Sequence, residues 1–410
     1  MAALFALPPF PVRYLRDTPP MTVPVLTVVP RQTHRCLQGH PWVFRSELGS
    51  LPELENGCEV VMQGPRQQVI GRGLYSAKSQ IAVRLFSQRD EAWSTELLRG
   101  RLQAAIALRD ARLPGRPARR LVSSEGDRLP GLIVDQYGDR LVVQTTTFGM
   151  DQRQAAIIEV LRELCAPTQI IERNDLAVRE LEGLPLRSGV IHGPPDATVT
   201  VAIGQLLLTV DLLDPHKTGA YLDQQTAHLD AMAWIHPGDR VADICCHLGG
   251  FAGHALLAGA ASAVGVDQSA ASLRGAALAM IAAGVADRFT AVEADAFAWL
   301  AAERSRFDVI ILDPPSFTRN RASVPAALRG YRDLHLKALH RLNPGGRLLT
   351  YSCSHHVTRE QFLATIVEAA AAVGRTLRLD AQMTQSPDHP ILPAVPETEY
   401  LKGFVLTALD

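Results

Sequence analysis

Lysine is almost missing from this chain. Lys78, Lys217, Lys337 and Lys402 are the whole complement among 41 basic residues, so arginine carries nearly all the positive charge. No apolar run reaches about 18 residues, so no segment reads as a membrane span. The six cysteines, at 36, 58, 165, 245, 246 and 353, form no C-x-x-C pair. Neither a zinc site nor a disulfide framework is therefore suggested, no metal is expected, and the pattern fits a reducing cytoplasm. Internal repeats and low-complexity tracts are absent. The first 20 residues lack a basic start ahead of their apolar stretch, which argues against a signal peptide. They contain Pro8, Pro9, Pro11, Pro19 and Pro20, and residues 1–21 read as a loose, disordered extension, with Met21 an alternative start.

What is present is an ordinary globular composition, 47% hydrophobic and 20% charged over 410 residues, enough for two or three domains. The net charge of −1 at first argues against a nucleic-acid partner. Its distribution argues the other way, because residues 1–120 carry 17 Arg/Lys and 9 Asp/Glu, a net of +8 that leaves −9 on the rest. A basic N-terminal portion on an acidic body suits docking on a polyanion, although a solubilising surface bias gives the same numbers.

Alternation with Gly and Pro punctuation predicts a small β domain over 22–95, with strands in VPVLTVV, CEVVMQG, QQVIGRGLYS and IAVRLFS. Residues 96–212 form an Arg-rich helical connector and a small α+β middle domain. Within it GLIVDQYGDRLVVQTT reads as a hairpin turning at Tyr137-Gly138-Asp139, DQRQAAIIEVLRELC as an amphipathic helix, and TVTVAIGQLLLTVDLL as a second hairpin. Residues 213–410 alternate strand and helix. Strands RVADICCH, ASAVGVD, FTAVEAD, FDVIILDPP and GRLLTYSCS read as buried parallel strands, with TLRLDAQ and YLKGFVLTAL after them. Helices are predicted over 251–260, 269–283, 296–305, 325–342 and 358–373, with Thr358 to Gln361 at capping-box spacing. The fold class is thus α/β: a Rossmann-like, doubly wound domain with a mixed seven-stranded sheet, preceded by the two smaller units.

In such a sheet ligands bind beyond the carboxyl ends of the strands, near the switch in strand order. Asp243, Asp267, Asp295 and Asp313 stand at or near four successive strand ends. Gly249 and Gly250 follow the first and let a ligand approach the backbone. The G-x-G-x-x-G pattern is absent, and an acidic rim suits a pyrophosphate poorly. A cation suits it better. S-adenosylmethionine (SAM) carries a sulfonium, an amino group and two ribose hydroxyls. Asp267 fits the ribose, Asp295 the adenine amino group and Asp243 the methionine amino end. A cap or turn explains any one of these acids alone, but explains the series poorly.

The strings VDLLDPHKTGAYLDQQ, GGFAGHALLAGA, ILDPPSF, RGYRDLH, YSCSHH and DHPILPAVPETEYLKGF resemble those of class I SAM-dependent methyltransferases. More narrowly, residues 30–408 resemble the bacterial 23S rRNA (cytosine-5) methyltransferases that join an RNA-binding PUA domain to a Rossmann-like domain. RCLQGHPWVFRSEL and GRGLYSAKSQIAVRLF carry the PUA likeness, and EGDRLPGLIVDQYGD and IIERNDLAVRELEGL that of the middle unit. The resemblance implies that Lys217, Tyr221, Asp223 and Gln224 lie across the SAM pocket, and that Phe251 belongs to the cofactor turn. His247 departs from the aromatic often found before the glycines.

The same loop chemistry bears on substrate. Pro314 and Pro315 stiffen the turn after Asp313, whose carboxylate can hold an exocyclic amine, and Phe317 can stack on a flipped base. Taken alone, that loop also fits amino-methylation of adenine or guanine. Cytosine carbon 5 is too weak a nucleophile to take a methyl unaided, and a thiolate added at carbon 6 activates it. Cys353, next to the Asp313 loop through neighbouring strands, is the expected nucleophile, with Asp313 as its catalytic partner. Its thiol calls for a lowered pKa, for which the following helix start, His355 and His356 are candidates. His355 positions RNA phosphate or caps the turn. Cys245 and Cys246 read as packing residues of the first strand. An N-methyltransferase with Cys353 a bystander and a non-catalytic RNA-binding assembly factor remain the alternatives, and a monomer or homodimer is expected.

Overall fold

The computed structural model describes residues 23–30, 34–214, 220–318 and 320–410. The extension over 1–21 and Lys217 therefore lie outside the described residues. Strands β1 Val25–Thr27, β2 Trp42–Phe44, β3 Glu59–Gln63, β4 Val69–Tyr75 and β5 Ile81–Ser87 form a sheet in the order β1-β3-β4-β5-β2. Leu26, Val43, Val60, Met62 and Val83 fill its core. Strand β2 is an addition to the predicted set, since three residues are too few for alternation to register.

Helix α1, Thr95–Arg112, starts where Ser94 Oγ accepts the Leu97 N–H. A second sheet follows, β6 Ala118–Ser123, β7 Leu132–Tyr137, β8 Arg140–Thr145, β9 Gln169–Asn174 and β10 Arg187–His192, in the order β10-β9-β8-β7-β6. Short α2 Phe148–Asp151, amphipathic α3 Gln154–Cys165 and short α4 Val178–Glu182 connect its strands. The β7–β8 hairpin turns at Gly138, φ 64°, as the sequence predicts. Edge strands β6 and β10 were not predicted: adjacent arginines interrupt β6, and Arg-Ser-Gly at the start of β10 leaves only Val190 and Ile191 apolar. Hairpin β11 Thr198–Ile203 with β12 Leu206–Asp211 is antiparallel, as expected.

The remaining chain contains α5 Gln225–Ala231, β13 Arg240–Ile244, α6 Gly250–Leu257, β14 Ser262–Asp267, α7 Ala270–Ala282, β15 Phe289–Glu293, α8 Ala296–Ala302, β16 Phe307–Leu312, α9 Val324–Arg341, β17 Leu342–Ser352, α10 Arg359–Ala372, β18 Leu377–Met383 and β19 Lys402–Ala408. The sheet order is β15-β14-β13-β16-β17-β19-β18, seven strands and mixed. The first five are parallel to their neighbours, and β19 is antiparallel to both β17 and β18. Apolar clusters cover both faces of the central strands, as burial on two sides requires. Strand β15 departs from the expected buried run. It lies at the sheet edge, and Thr290, Ala291 and Glu293 are exposed. The predicted capping box forms: Thr358 Oγ1 accepts from Gln361 N, and Gln361 Oε1 from Thr358 N.

The hairpin β11–β12 shares one apolar cluster with Ala279 of α7, so it joins the middle unit to the seven-stranded sheet. Buried Arg109 of α1 donates to Asp127 and to the Asp388 carbonyl at 2.7 Å, tying the connector to the 384–401 loop. The strand order reverses at β13, between β14 and β16, and the crevice lies at the carboxyl ends there.

Candidate active site

A cavity of about 520 Å³ opens at this reversal. Tyr221, Asp223 and Gln224 wall one side, Asp267 and Asp295 the second, and Asp313 through Phe317 with Cys353 the third. A smaller void of about 30 Å³ shares Tyr221, His247 and Asp313 with it and reaches Gly250 and Phe251.

The first turn shows why glycine is needed. Gly249 has φ 72°, which an L side chain adopts only with strain, and a Cβ at Gly250 would enter the His228 ring. The turn lets the backbone N–H of Ala252 donate to Asp243 Oδ2 at 2.9 Å. Asp243 is wholly buried and its Oδ1 has no partner. Burial, with the Asp267 charge adding to it, pushes its carboxyl up to about 7. Phe251 is largely a core residue, stacked on Tyr351 at 5.0 Å. Strand β13 ends at Ile244, so Cys245 and Cys246 follow the strand rather than lie in it. Cys246 is buried, whereas Cys245 lines the cavity.

Asp267 accepts the His247 N–H and the Ser269 N–H, both at 2.9 Å. The His247 ring meets Tyr221 edge-on at 4.9 Å. Asp295 caps α8 through the Ala298 N–H and also accepts from Gln268 Nε2 at 2.7 Å. Both acids therefore serve as turn or cap and as cavity wall at once.

Asp313 accepts from Gln224 Nε2 at 2.9 Å, while the buried Gln224 Oε1 has no partner. Burial first, then the Asp223 and Asp243 charges, hold Asp313 well above the usual carboxylate range. Asp223 Oδ2 accepts from Tyr400 OH at 2.8 Å. Phe317 packs on Tyr331 at 4.5 Å beside the cavity.

Parallel pairing of β16 with β17 brings Cys353 beside the Asp313 loop. The cysteine is half-buried, and its flanking serines fasten the two loops together. Ser354 Oγ lies 3.2 Å from Ser316 Oγ, accepts the Phe317 N–H at 3.2 Å and bonds Tyr331 OH at 2.8 Å. Ser352 Oγ donates to the same tyrosine at 2.9 Å. The expected lowering of the thiol pKa is not found. Burial, then Asp313 and Asp223, push Cys353 up to about 12, and its own backbone N–H and Lys402 pull it down. The two histidines have no part in that balance. His355 is exposed, stacks on Tyr400 at 5.1 Å and lines neither void. Gly249 also lies behind the lining rather than in it.

Sequence reasoning gave no role to Tyr331, Ser316, Tyr400 or Lys402. Each lies inside a string quoted above, in RGYRDLH, ILDPPSF or the ETEYLKGF segment, so the signal was present. Nothing in one dimension says that these strings meet.

Residues 26–88 match the model of a PUA-like domain and residues 220–379 that of the methyltransferase small domain. In fold the chain is similar to a putative SAM-dependent methyltransferase from Streptococcus mutans, with a TM-score of 0.79 at 18% identity, covering 94% of this chain and all of that one. A further structure, SMU.776, a putative methyltransferase complexed with SAH, gives 0.80 at 19% identity over 94% and 100%. Among sequences, the ribosomal RNA large subunit methyltransferase I of Photobacterium profundum is 38% identical over 378 residues, 89% of this chain and 94% of that protein. That of Tolumonas auensis is 38% identical over 390 residues, 91% and 96%. Likeness of this extent, at 38% identity over about nine-tenths of the chain, shows that the chain belongs to the ribosomal RNA large subunit methyltransferase I family.

Proposed function

We infer that this protein transfers a methyl group from S-adenosylmethionine to carbon 5 of a cytosine in RNA, with 23S ribosomal RNA as the substrate. The observation that carries this reading is one shared cavity: the Cys353 thiol and the Asp313-Pro314-Pro315 turn open into the space that Asp267 and Asp295 also line. The names of the relatives support the ribosomal substrate. Such a substrate puts the working protein in the cytoplasm.

The residues fit the cofactor. Two acceptor oxygens are buried without partners: Gln224 Oε1 belongs to a residue of the cavity wall, and Asp243 Oδ1 lies behind the lining, and both suit a ligand rich in donors. Asp267 would hold the ribose hydroxyls, Asp295 the adenine amino group, and Asp243 with Gln224 the amino end, with Tyr221 and Asp223 beside it; Lys217, outside the described residues, is assigned to the cofactor by the family resemblance alone. Gly249, Gly250 and Phe251 shape the turn behind. When bound, the cofactor supplies an electrophilic methyl group.

The chain's own part is covalent. The Cys353 thiolate bonds carbon 6 of the ring, and the displaced π electrons make carbon 5 nucleophilic. After carbon 5 has taken the methyl, its proton passes to water, the C–H pair re-forms the double bond to carbon 6, and sulfur departs with its own bonding pair. Asp313 and the prolines hold the exocyclic amine, Phe317 stacks on the base, and His355 at the rim meets backbone phosphate. The three units at 22–95, 96–212 and 213–410 divide the work, the first docking RNA and the last reacting with it.

Bisulfite sequencing of ribosomal RNA tests this. Cells lacking the protein should lose protection at one cytosine, the wild-type gene should restore it, and Cys353→Ala should not. One observation favours a second reading, N-methylation of a purine by the Asp313 loop: the thiol pushed up to about 12 is a poor nucleophile as it stands. Methylation that survives Cys353→Ala would select that reading.

A further inference from the structure

Among the described residues Lys402 is the one buried lysine, 4% exposed. Its ammonium donates to the Ser354 carbonyl at 2.6 Å. No carboxylate among the described residues forms an ion pair with it, and the nearby Glu399 pairs with Arg359 instead. A buried cation without an anion is costly and rarely retained without a purpose. Strand register explains its placement. Lys402 lies directly opposite Ser352 across the β17–β19 pair, so both side chains share one face of the sheet. From there the side chain reaches past residue 353 to the next carbonyl, which sets the ammonium against the Cys353 peptide.

We propose that Lys402 is the positioning residue of Cys353, supplying the counter-charge of its thiolate and fixing the 352–354 turn. This rests on the reading of Cys353 as nucleophile. When the thiol ionises, its proton goes to solvent and the electron pair stays on sulfur, within the field of the ammonium held at the Ser354 carbonyl. The same pairing stabilises sulfur when it leaves carbon 6 with the bonding electrons. The groups around Cys353 explain why a cation is needed. Asp313 and Asp223 oppose ionisation from the β16 end and the segment before α5, and Tyr221 and Tyr331 are also coupled to the sulfur. Lys402 is the cation acting on it from β19. Around Lys402 itself stand Arg359 of α10, Glu399 and His355. Burial pulls Lys402 down to about 8, so its counter-charge fades in mildly alkaline solution.

Alkylation of Cys353 by iodoacetamide, followed on its own peptide by mass spectrometry between about pH 6 and 10, reads the thiol without RNA or methyl transfer. Lys402→Gln keeps a donor for the Ser354 carbonyl and removes the charge. It should slow alkylation about tenfold near pH 7, one pKa unit, with the difference shrinking above about pH 8 as the lysine loses its proton, whereas Lys402→Arg should keep the neutral-pH rate and hold it at alkaline pH. Circular dichroism and a calorimetric SAM titration establish that each variant is folded. Should Lys402→Gln not fold, Lys402→Met and Lys402→Arg decide the matter by the same comparison. Folded uncharged variants with the wild-type alkylation profile would overturn the proposal. That result is distinct from failure of the nucleophile reading, which shows as methylation by Cys353→Ala.

Discussion

Asp243 illustrates how burial can make one side chain destabilising. It has no exposed surface, one oxygen is occupied by the Ala252 N–H and the other is bare. Its carboxyl is pushed up to about 7, so the folded ligand-free protein holds the proton more tightly than the unfolded chain, where the value is about 3.9. The stability from that proton is complete below about pH 4 and is lost as pH rises through about 7. Asp243→Asn should therefore make the ligand-free protein more stable than wild type by about 1–3 kcal/mol near pH 8 and by much less near pH 4. Urea unfolding at both pH values measures this, and an equal difference at the two would refute it. The same variant should bind SAM at least about tenfold more weakly by calorimetry, the loss of one charge-assisted contact. The acid was legible in the sequence as one of a series at strand ends. That its second oxygen is bare was not, because partners come from the fold.

The connections that matter most for chemistry run between elements. Strands β16 and β17 present their loops side by side, and Tyr331 of α9 bolts the two together through Ser352 and Ser354. Tyr331→Phe removes two hydrogen bonds at a buried site while leaving the ring packed on Phe317 and Phe362. The expected cost is about 1–2 kcal/mol in unfolding free energy. Under the proposed Cys353 mechanism, the rate of methyl transfer should fall about tenfold or more with SAM affinity unchanged, since the bolt would set the distance from Cys353 to the base rather than the cofactor contacts. A variant with wild-type kcat would show that the bolt is only structural. The glycine turn offers a second check. Gly250→Ala drives a methyl into the His228 ring between α5 and α6 and should destabilise by about 1–3 kcal/mol in thermal or urea unfolding. Strands, helices and the capping box at Thr358 were readable, because each depends on local periodicity. Strands β2, β6 and β10 were not, being too short, too charged or, in β10, too poor in apolar residues to alternate.

At the scale of the whole molecule the charge asymmetry changes meaning. Arg35, Arg84, Arg99, Arg109 and Arg120 all lie in the basic N-terminal portion, and their acids, Glu397, Glu182, Glu163, Asp127 and Asp135, all lie beyond residue 120. Part of the +8 against −9 is therefore taken up by ion pairs, three inside the 96–212 unit and two, Arg35–Glu397 and Arg84–Glu182, between units. The Arg35–Glu397 pair, with buried His40 on the same carboxylate, fastens the first sheet to the loop that leads to Lys402. Glu397→Ala should change global stability by less than about 1 kcal/mol, because both partners are more than a third exposed. It should instead raise amide exchange around residues 35–42, measured by hydrogen–deuterium exchange. Unchanged exchange there would show that the pair holds nothing. No helix among the described residues is long and apolar enough to cross a membrane.

The sequence by itself determined the fold class, the alternation of strand and helix, the acids at the strand ends and the cysteine that follows β17. Each of these is a matter of periodicity or of residues close in the chain. Tertiary structure alone decided that Gln224 faces Asp313, that Tyr400 reaches Asp223, and that Lys402 reaches the Ser354 carbonyl. Those pairs are separated by 89, 177 and 48 positions along the chain and are joined only by sheet register and loop packing. It also decided the state of the thiol, because burial and the charge of distant carboxylates have no signature in a linear pattern.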